Sequence, residues 1–266
     1  MSDIYNTFKR SFNLIEANTP ELRLKVYQLR YLVLCVQNDF PDMNAADFPD
    51  KLEKDEYDER SSHMLIQFIP TGEFIGTTRL ILPDPSNPAS PFPIELHTKI
   101  DPDLYLFDSD TRTQTAEISR FLVSSNFDRR KGDRRKPTEQ DNQQKNTETN
   151  QTASSNFEND RRKGDDRRRG DRRSSLNIYM VLMAGVVRMS VANNIKYWLS
   201  AMDPALNRLV GFSGMNIEPI GPVVNYHGFR QPHFGEINDV LNRLHKRNYG
   251  AWEVITDRGK YWQPAE

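Results

Sequence analysis

The sequence of 266 residues predicts an α/β (α+β) fold with a mixed central sheet and helices on both of its faces. Apolar residues recur at helical spacing in residues 20–33 and 176–192, which is the pattern of amphipathic helices. Three runs of strand-forming residues, at 63–69, 74–82 and 115–123, lie between those helices. This order favours a layered sheet that carries helices on both faces.

The first helix is predicted by a start signal followed by an apolar stripe. Residues 18–21 read Asn-Thr-Pro-Glu: a capping residue, then proline near the first turn, then an acid. The stripe continues at steps of three and four residues through Leu22, Val26, Leu29 and Val33. Arg30 lies at the edge of this stripe, and a first strand is expected just before the helix, at residues 12–17.

The remaining elements follow from turn signals and periodicity. Residues 63–69 and 74–82 form a hairpin around Pro-Thr-Gly-Glu, and five prolines between residues 83 and 93 predict a loop. After the strand at 115–123 we expect a helix at 176–192, a strand at 194–199, a helix capped by Asp203 and running to about 212, a strand near 223–226 and a terminal helix at 235–248. Met180 and Met183 on the long helix are expected to pack in the core rather than to line an apolar ligand site.

Charged residues stand among strand-forming apolar residues, where they are costly without partners. In the strand at 115–123, strict alternation would place Glu117, Ser119 and Phe121 on one face, and Ile118, Arg120 and Leu122 on the other. We therefore expect Glu117 to meet an arginine such as Arg30 or Arg79, and Arg120 to meet Asp55 or Asp58. Such a network indicates a functional site. The alternative is an ion-pair lattice that only ties the N-terminal helix to the sheet.

The same residues stand in four motifs that resemble those of a known enzyme group. The motifs are Leu29-Arg30-Tyr31-Leu32-Val33-Leu34, Glu53-Lys54-Asp55-Glu56-Tyr57-Asp58, Gly76-Thr77-Thr78-Arg79-Leu80 and Glu117-Ile118-Ser119-Arg120-Phe121. In this order they resemble the motifs of the autoinducer (acyl-homoserine-lactone) synthases, which belong to the GNAT acyltransferase superfamily. The resemblance covers about residues 20–125 and, more loosely, 176–226. It implies a GNAT acyltransferase fold, with residues 1–266 forming a single domain.

Two positions depart from the autoinducer synthases and shift the resemblance. That group usually carries Phe four residues after the helix arginine and Trp six residues further on, where this chain has Leu34 and Phe40. Those aromatics shape the amine-substrate side of the family's site. The chain therefore looks closer to the N-acyl amino acid synthases, in particular the acyltransferases associated with PEP-CTERM/exosortase systems.

The resemblance implies transfer of a fatty acyl group from acyl carrier protein, or from acyl-coenzyme A, to the amine of an amino acid. A carboxylate must then deprotonate the amine, and a backbone N–H in residues 121–124 would stabilise the oxyanion. The implied catalytic residues are Glu117, Ser119 and Arg120. The implied substrate-binding residues are Arg30, Phe40, Asp55, Asp58, Arg79, Phe121, Leu122 and Val123. Two alternatives stay open: an acyl-homoserine-lactone synthase that uses S-adenosylmethionine, and a non-enzymatic binding protein that uses an Arg-rich insertion.

Composition limits the cofactors and the location. Cys35 is the single cysteine, which excludes an intrachain disulfide, and the five histidines show no zinc-ligand spacing, so we expect no metal and no bound cofactor. The N-terminal residues lack the apolar core of a signal peptide. The most apolar run, residues 178–187, is far short of the ~20 residues that span a bilayer. We expect a cytoplasmic protein without a transmembrane segment.

The Arg-rich insertion occupies about residues 128–173. It holds 15 Lys/Arg against 10 Asp/Glu, while the rest of the chain is acidic. A Ser-Ser-Asn-Phe sequence precedes it at residue 124 and recurs at residue 154; Asp-Arg-Arg-Lys-Gly-Asp follows the first copy directly and the second copy after Glu158 and Asn159. With so few apolar residues we expect disorder. A solvated loop without a partner and a docking arm for acidic acyl carrier protein both fit this composition. Nucleic acid is not expected, because interleaved aspartates dilute the positive charge and stacking aromatics are absent.

Overall fold

The computed structural model describes residues 3–38, 42–105, 108–125, 127, 178–212 and 214–264. The strands are β1 (Phe12–Glu16), β2 (Ser61–Phe68), β3 (Glu73–Ile81), β4 (Thr115–Val123), β5 (Tyr197–Met202), β6 (Glu218–Pro219), β7 (Val224–Asn225) and β8 (Phe229–Glu236). The helices are α1 (Asp3–Ser11), α2 (Pro20–Tyr31), α3 (Pro93–His97), α4 (Ser109–Thr113), α5 (residues 178–192), α6 (Pro204–Phe212), α7 (Ile237–Arg247) and α8 (Tyr249–Thr256). A π-helical segment, Leu32–Gln37, continues α2, and 3-10 turns form at Ala45–Asp47 and Glu56–Arg60.

The described strands form one mixed sheet in the order β1-β2-β3-β4-β5-β8-β6, with β7 paired to β8. Neighbouring strands are antiparallel except β4 and β5, which are parallel. Helices cover both faces of the sheet, so the predicted fold class is confirmed. The predicted bounds of β4 match the observed strand, and β1 and the β2–β3 hairpin agree within about two residues.

Helix α2 begins where the sequence indicates. Thr19 is the N-cap and its side chain accepts a hydrogen bond from the Leu22 N–H at 3.4 Å, with Pro20 in the first turn. The apolar stripe of α2 packs on Ala17 and on the fully buried Leu65 of β2. The stripe therefore fixes the position of Arg30, which is 0% exposed at the end of the helix.

Helix α5 crosses the opposite face of the sheet and is buried along most of its length. It approaches the sheet closely at Gly185, where a Cβ atom would lie 2.8 Å from Met64 Cγ. Only glycine permits that distance. Its methionines contribute to the main core, which also includes α7, α8 and the apolar residues of β5.

Several C-terminal elements differ from the sequence prediction. β5 begins at Tyr197 rather than 194, because Asn194 has a positive φ of 55° and ends the turn after α5. The strand predicted near 223–226 is only the two-residue β7, and the long strand is β8, which the sequence prediction missed. β8 contains Pro232 and Gly235, which are depleted in strands, yet antiparallel pairing with β5 holds it. Helices α1 and α8 were also not predicted.

Two sequence predictions fall outside the described residues: the insertion at about 128–173, and the role of Phe40. Within the described ranges, no helix is both long and apolar enough to pass through a lipid bilayer.

Candidate active site

A wedge opens between β4 and β5. The two strands pair over only three residues each, from Thr115 opposite Tyr197 to Glu117 opposite Leu199. Beyond that row, the Ser200 hydroxyl still donates to Ile118 O at 3.4 Å, and then the strands diverge. The second halves of β4 and β5 therefore face a gap instead of each other, and both halves line a cavity of about 340 Å³.

A β-bulge in β4 lies beside this gap. Arg120 has a φ of +48°, in the left-handed region that is strained for a residue with a side chain. The β3–β4 register shifts at the same place: Arg79 is opposite Ser119, but Thr77 is opposite Leu122. The extra residue is the mark of a bulge, which re-aims side chains and leaves backbone groups out of the ladder. Among the described pairs, Arg120 and Phe121 have no partner on β3.

The bulge overturns the alternation expected from the sequence. Glu117 and Ser119 share one face, as predicted, and Ile118 packs into the main core on the other. Phe121 was expected beside Glu117, but it packs on the α5 side, with its ring 6.1 Å from and parallel to that of Tyr179. Arg120 was expected on the other face of the strand from Glu117. Its guanidinium instead binds Asp55, which also binds Arg79.

Six buried or half-buried charged side chains form a connected network on the Glu117 face of the sheet. We call Arg30, Glu53, Asp55, Asp58, Arg79 and Arg120 the ion network. Arg30 donates to Glu53 and to Asp58, the latter at 2.6 Å. Arg79 donates to Asp55 and Asp58 at 2.5 and 2.8 Å, and Arg120 donates to Glu53 and Asp55 at 2.7 and 3.1 Å. Each guanidinium therefore binds two carboxylates, and the three positive and three negative charges balance.

The local sequence builds this network from four elements. Arg30 comes from α2, Arg79 from β3 and Arg120 from β4. Asp55 and Asp58 form a capping box at the start of the 3-10 turn: Asp55 accepts from the Tyr57 N–H at 3.0 Å, and Asp58 accepts from the Asp55 N–H at 2.8 Å. The three-residue step between the aspartates is therefore a requirement of the turn.

Glu53 is the network member whose role sequence reasoning missed. It was expected neither as a partner of Arg120 nor as a site residue, although it stands in the quoted motif. Its side chain is 2% exposed and bridges Arg30 and Arg120. Burial alone would raise the pKa of Glu53, but the two guanidinium charges outweigh burial and lower it to about 2. The same balance at Asp58, with Arg30 and Arg79, lowers the pKa of that carboxyl.

Glu117 has a different environment although it lies next to the network. It is 4% exposed, and its Oε2 accepts a hydrogen bond from the Ile94 N–H at 2.9 Å. The expected direct partner was an arginine, but Arg79 and Arg120 act on Glu117 only over a longer distance. Burial dominates and raises the pKa of Glu117 to about 7, although the Ile94 hydrogen bond and the two arginines oppose it. A carboxyl poised near neutrality in a cavity is suited to accept a proton.

The cavity has a polar and an apolar part. The polar part is lined by Asp55, Tyr57, Arg79, Glu117, Ser119, Arg120, Tyr226, His227 and Arg230. The apolar part is lined by Phe121, Leu122, Val123, Tyr179, Met183, Met202, Leu206, Val210, Met215 and Ile217. A molecule with a reactive polar centre and a long hydrocarbon tail matches this division.

The structure brings most of the predicted site residues together. The wall includes eight of the eleven: Asp55, Arg79, Glu117, Ser119, Arg120, Phe121, Leu122 and Val123. Arg30 and Asp58 lie behind that wall and contact it through the other charges. The cavity residues of the β7–β8 hairpin, Tyr226, His227 and Arg230, were not predicted, since nothing in the sequence links them to the earlier motifs.

Known proteins are similar to this chain in fold. Residues 29–135 match the family described as an acetyltransferase (GNAT) domain. No curated protein sequence matches the chain. BjaI, a CoA-dependent acyl-homoserine lactone synthase solved with SAM and isopentyl-CoA, is 18% identical with a TM-score of 0.53, over 96% of this chain and 93% of that one.

Two further solved structures are similar. TofI in a ternary complex with an inhibitor and MTA is 16% identical with a TM-score of 0.51, over 88% of this chain and 96% of that one. FeeM, an N-acyl amino acid synthase from uncultured soil microbes, is 9% identical with a TM-score of 0.41, over 90% of this chain and 97% of that one. At these identities the likeness of BjaI and TofI establishes the GNAT acyltransferase fold. The predicted GNAT fold is therefore confirmed, by the domain match over residues 29–135 and by the likeness to BjaI.

Proposed function

We propose that this protein transfers a fatty acyl group from the thioester of acyl carrier protein, or of acyl-coenzyme A, to the amine of an amino acid. The product is an N-acyl amino acid. The observation that carries the proposal is the position of Glu117: a buried carboxyl with a pKa of about 7 lines the same cavity as a long apolar wall. The cavity thus offers a base for an amine and space for a hydrocarbon chain.

The geometry supports a direct transfer. Glu117 takes a proton from the ammonium group, directly or through a water, and the free amine attacks the thioester carbonyl carbon. The C–N bond forms, the C–S bond breaks and the thiolate leaves, taking up a proton. Tyr57 and Tyr226 line the same cavity with hydroxyl groups. Burial raises the pKa of the Tyr226 hydroxyl, and the Glu117 charge adds to that shift. Tyr226 therefore stays protonated at neutral pH.

The bulge supplies the other requirement, stabilisation of the oxyanion. The N–H groups of Arg120 and Phe121 lie where the β3–β4 ladder is interrupted. A donor that is outside the ladder and beside the gap is able to bind the developing negative charge. Most of the acceleration then comes from holding the amine and the thioester together in one cavity.

The acyl chain would occupy the apolar part of the cavity. Met183 and Tyr179 of α5 line this part together with Val210, Met215 and Ile217. The sequence favoured plain core packing for the methionines of α5. In the structure Met183 lines the cavity and also belongs to the main core.

Product analysis tests the proposal. The purified full chain would be incubated with acyl-carrier-protein and acyl-coenzyme A thioesters and a mixture of the twenty amino acids, with and without S-adenosylmethionine. Detection of N-acyl amino acids by mass spectrometry supports the proposal. An acyl-homoserine lactone that forms only with S-adenosylmethionine supports the autoinducer synthase alternative, and intact thioester in every mixture overturns both.

Two finer features belong to the proposal because the motif resemblance implies them: an association with PEP-CTERM/exosortase systems and a single domain of residues 1–266. A cytoplasmic location stays a prediction from the sequence. The donor stays open between acyl carrier protein and acyl-coenzyme A. An acidic carrier would be attracted by the Lys/Arg surplus of residues 128–173.

A further inference from the structure

Arg230 lies on the same face of the sheet as Glu117. Glu117 is opposite Leu199 on β5, and Leu199 is opposite Phe234 on β8. Opposed residues share a face, and so do residues two apart on one strand. Arg230 is four residues from Phe234 and is therefore on that face, about 13 Å further along the strands toward the open end of the wedge. Two long side chains with a small molecule between them span such a distance.

The β7–β8 hairpin fixes the surroundings of Arg230. Val224 is opposite Arg230, and the connecting turn contains His227 and Gly228 with φ values of +48° and +94°. The Tyr226 N–H donates to Gly228 O at 2.8 Å, and the Tyr226 ring stacks on His97 at 4.5 Å between centroids. The hairpin therefore presents Tyr226, His227 and Arg230 to the cavity in a defined arrangement.

The charge balance of the site leaves a role for Arg230. In the ion network every guanidinium already binds two carboxylates, so its charges cancel. An added substrate carboxylate needs a positive charge from elsewhere on the wall. Arg230 provides one, and a guanidinium matches the two oxygens of a carboxylate with parallel hydrogen bonds.

Two contacts of Arg230, with Phe229 and with Asp203, are compatible with that role. Its Nη1 donates to Phe229 O at 3.1 Å and lies 3.9 Å from Asp203 Oδ2. Asp203 is half exposed and caps α6 through the Ala205 N–H at 2.6 Å. Burial lowers the pKa of Arg230. The negative charge of Asp203 opposes that shift only in part. A cation in such surroundings is stabilised by an incoming anion.

We propose that Arg230 binds the carboxylate of the acceptor, and that the protein selects amino acids with a free carboxylate over simple amines and amino acid amides. This inference rests on the proposed function, because the ligand is the acceptor of that reaction. It adds the part of the molecule that recognises the acceptor, the β7–β8 hairpin. Arg230 would determine specificity, while Glu117 performs the proton transfer.

The test is a binding measurement that needs no turnover. Isothermal titration calorimetry would compare N-decanoylglycine with N-decanoylglycinamide, which differ only in the carboxylate, on the full chain and three variants. The variants are Arg230→Gln, Arg230→Lys and the matched control Arg208→Gln, an exposed arginine on α6 away from the cavity. We expect the wild type and R208Q to bind the acid about 10- to 100-fold more tightly than the amide. R230Q loses this preference, and R230K keeps a small part of it.

Each outcome decides the matter. Equal affinity of the wild type for acid and amide, or no binding of either, overturns the inference, and so does a preference that survives in R230Q. If R230Q does not fold, the wild-type comparison and R230K still decide. Acyl transfer is measured separately on glycine and glycinamide. Preferential binding of the acid without transfer contradicts the proposed function alone, whereas equal transfer to both acceptors contradicts the Arg230 inference alone.

Discussion

Arg120 donates to Glu53 from Nη2 to Oε1 at 2.7 Å, while its own backbone has a φ of +48°. The side-chain contact and the strained backbone are thus two parts of one arrangement. Glu53 is in turn bound by Arg30, so α2 is connected to the bulge of β4 through a single carboxylate. The shape of the bulge, and with it the position of the N–H groups proposed to bind the oxyanion, depends on a residue that does not line the cavity.

Replacing Glu53 by glutamine should therefore affect both stability and catalysis. Removing the charge leaves Arg30 and Arg120 short of a partner, and we expect a loss of about 3–5 kcal/mol in the free energy of unfolding. The turnover number should fall because the bulge relaxes. Urea unfolding and steady-state kinetics measure the two effects. Glu56→Gln is the matched control, since Glu56 is exposed on the neighbouring 3-10 turn and should change neither.

The same contact predicts a pH dependence of stability. The pKa of Glu53 is about 2 in the folded chain, below its usual 4.5. Because the folded pKa is depressed, this stabilisation is fully present above about pH 4.5 and is lost as the pH falls toward 2. Thermal melts of the wild type and E53Q from pH 7 to 3 check it. The two Tm values should converge at low pH, and a constant difference would count against the charge of Glu53 as the cause.

Glu117→Gln should lower turnover by about 10²- to 10⁴-fold, the contribution of a general base, with little effect on the fold. Because burial raises the pKa of Glu117 to about 7, the wild-type rate should rise with pH through that value as the carboxylate forms. Thiol release followed from pH 5.5 to 8.5 gives the profile. In E117Q this rise should disappear. Near-normal turnover in E117Q, with a normal melting curve, would remove Glu117 from the mechanism.

Met183→Phe should shift the acyl preference toward shorter chains. Met183 lines the apolar part of the cavity, and a bulkier ring there excludes the end of a long chain. Each methylene that no longer fits costs about 0.8 kcal/mol, or about fourfold in kcat/KM. Kinetics with C8 to C16 thioesters measure the shift. Met180→Phe makes the same change on α5 away from the cavity wall, and an equal shift in that variant would point to a general loosening.

Deleting residues 128–173 should weaken the use of acyl carrier protein while sparing acyl-coenzyme A. The segment carries a surplus of five positive charges, so its removal should raise the KM for the acidic carrier and reduce the salt dependence of that KM. Kinetics at 50 and 300 mM salt, with both donors, separate these effects. An unchanged KM for the carrier contradicts a docking role, and loss of activity with both donors contradicts a role limited to docking.

The parts of the fold that rest on local pattern could be predicted from the sequence. The apolar stripe gave α2 and placed Arg30, and the run of β-branched and aromatic residues gave β4 with Glu117. Arg120 was expected to meet Asp55 or Asp58, and it meets Asp55. Arg30 and Arg79 were expected at Glu117, but they bind the aspartates instead. The successes at α2 and β4 share one cause: each depends on residues close to one another in sequence.

What could not be predicted depends on tertiary contacts. Nothing in the string Glu-Ile-Ser-Arg-Phe reveals that Arg120 has a left-handed backbone, and this one residue reverses the faces expected for Phe121 and Arg120. β8 was missed because Pro232 and Gly235 disfavour a strand, and only the partner β5 outweighs them. Arg230 could not be placed near Glu117 without the register of that pair of strands.

The left-handed backbone at Arg120 also limits how this protein can be stabilised by design. Glycine would relieve the torsional strain there, which makes it an obvious choice in a search for heat-resistant variants. Such a variant would leave Glu53 with one positive neighbour, and breaking that buried pair costs more stability than the relieved strain returns. Libraries that seek a hardier protein should therefore leave Arg120 unchanged.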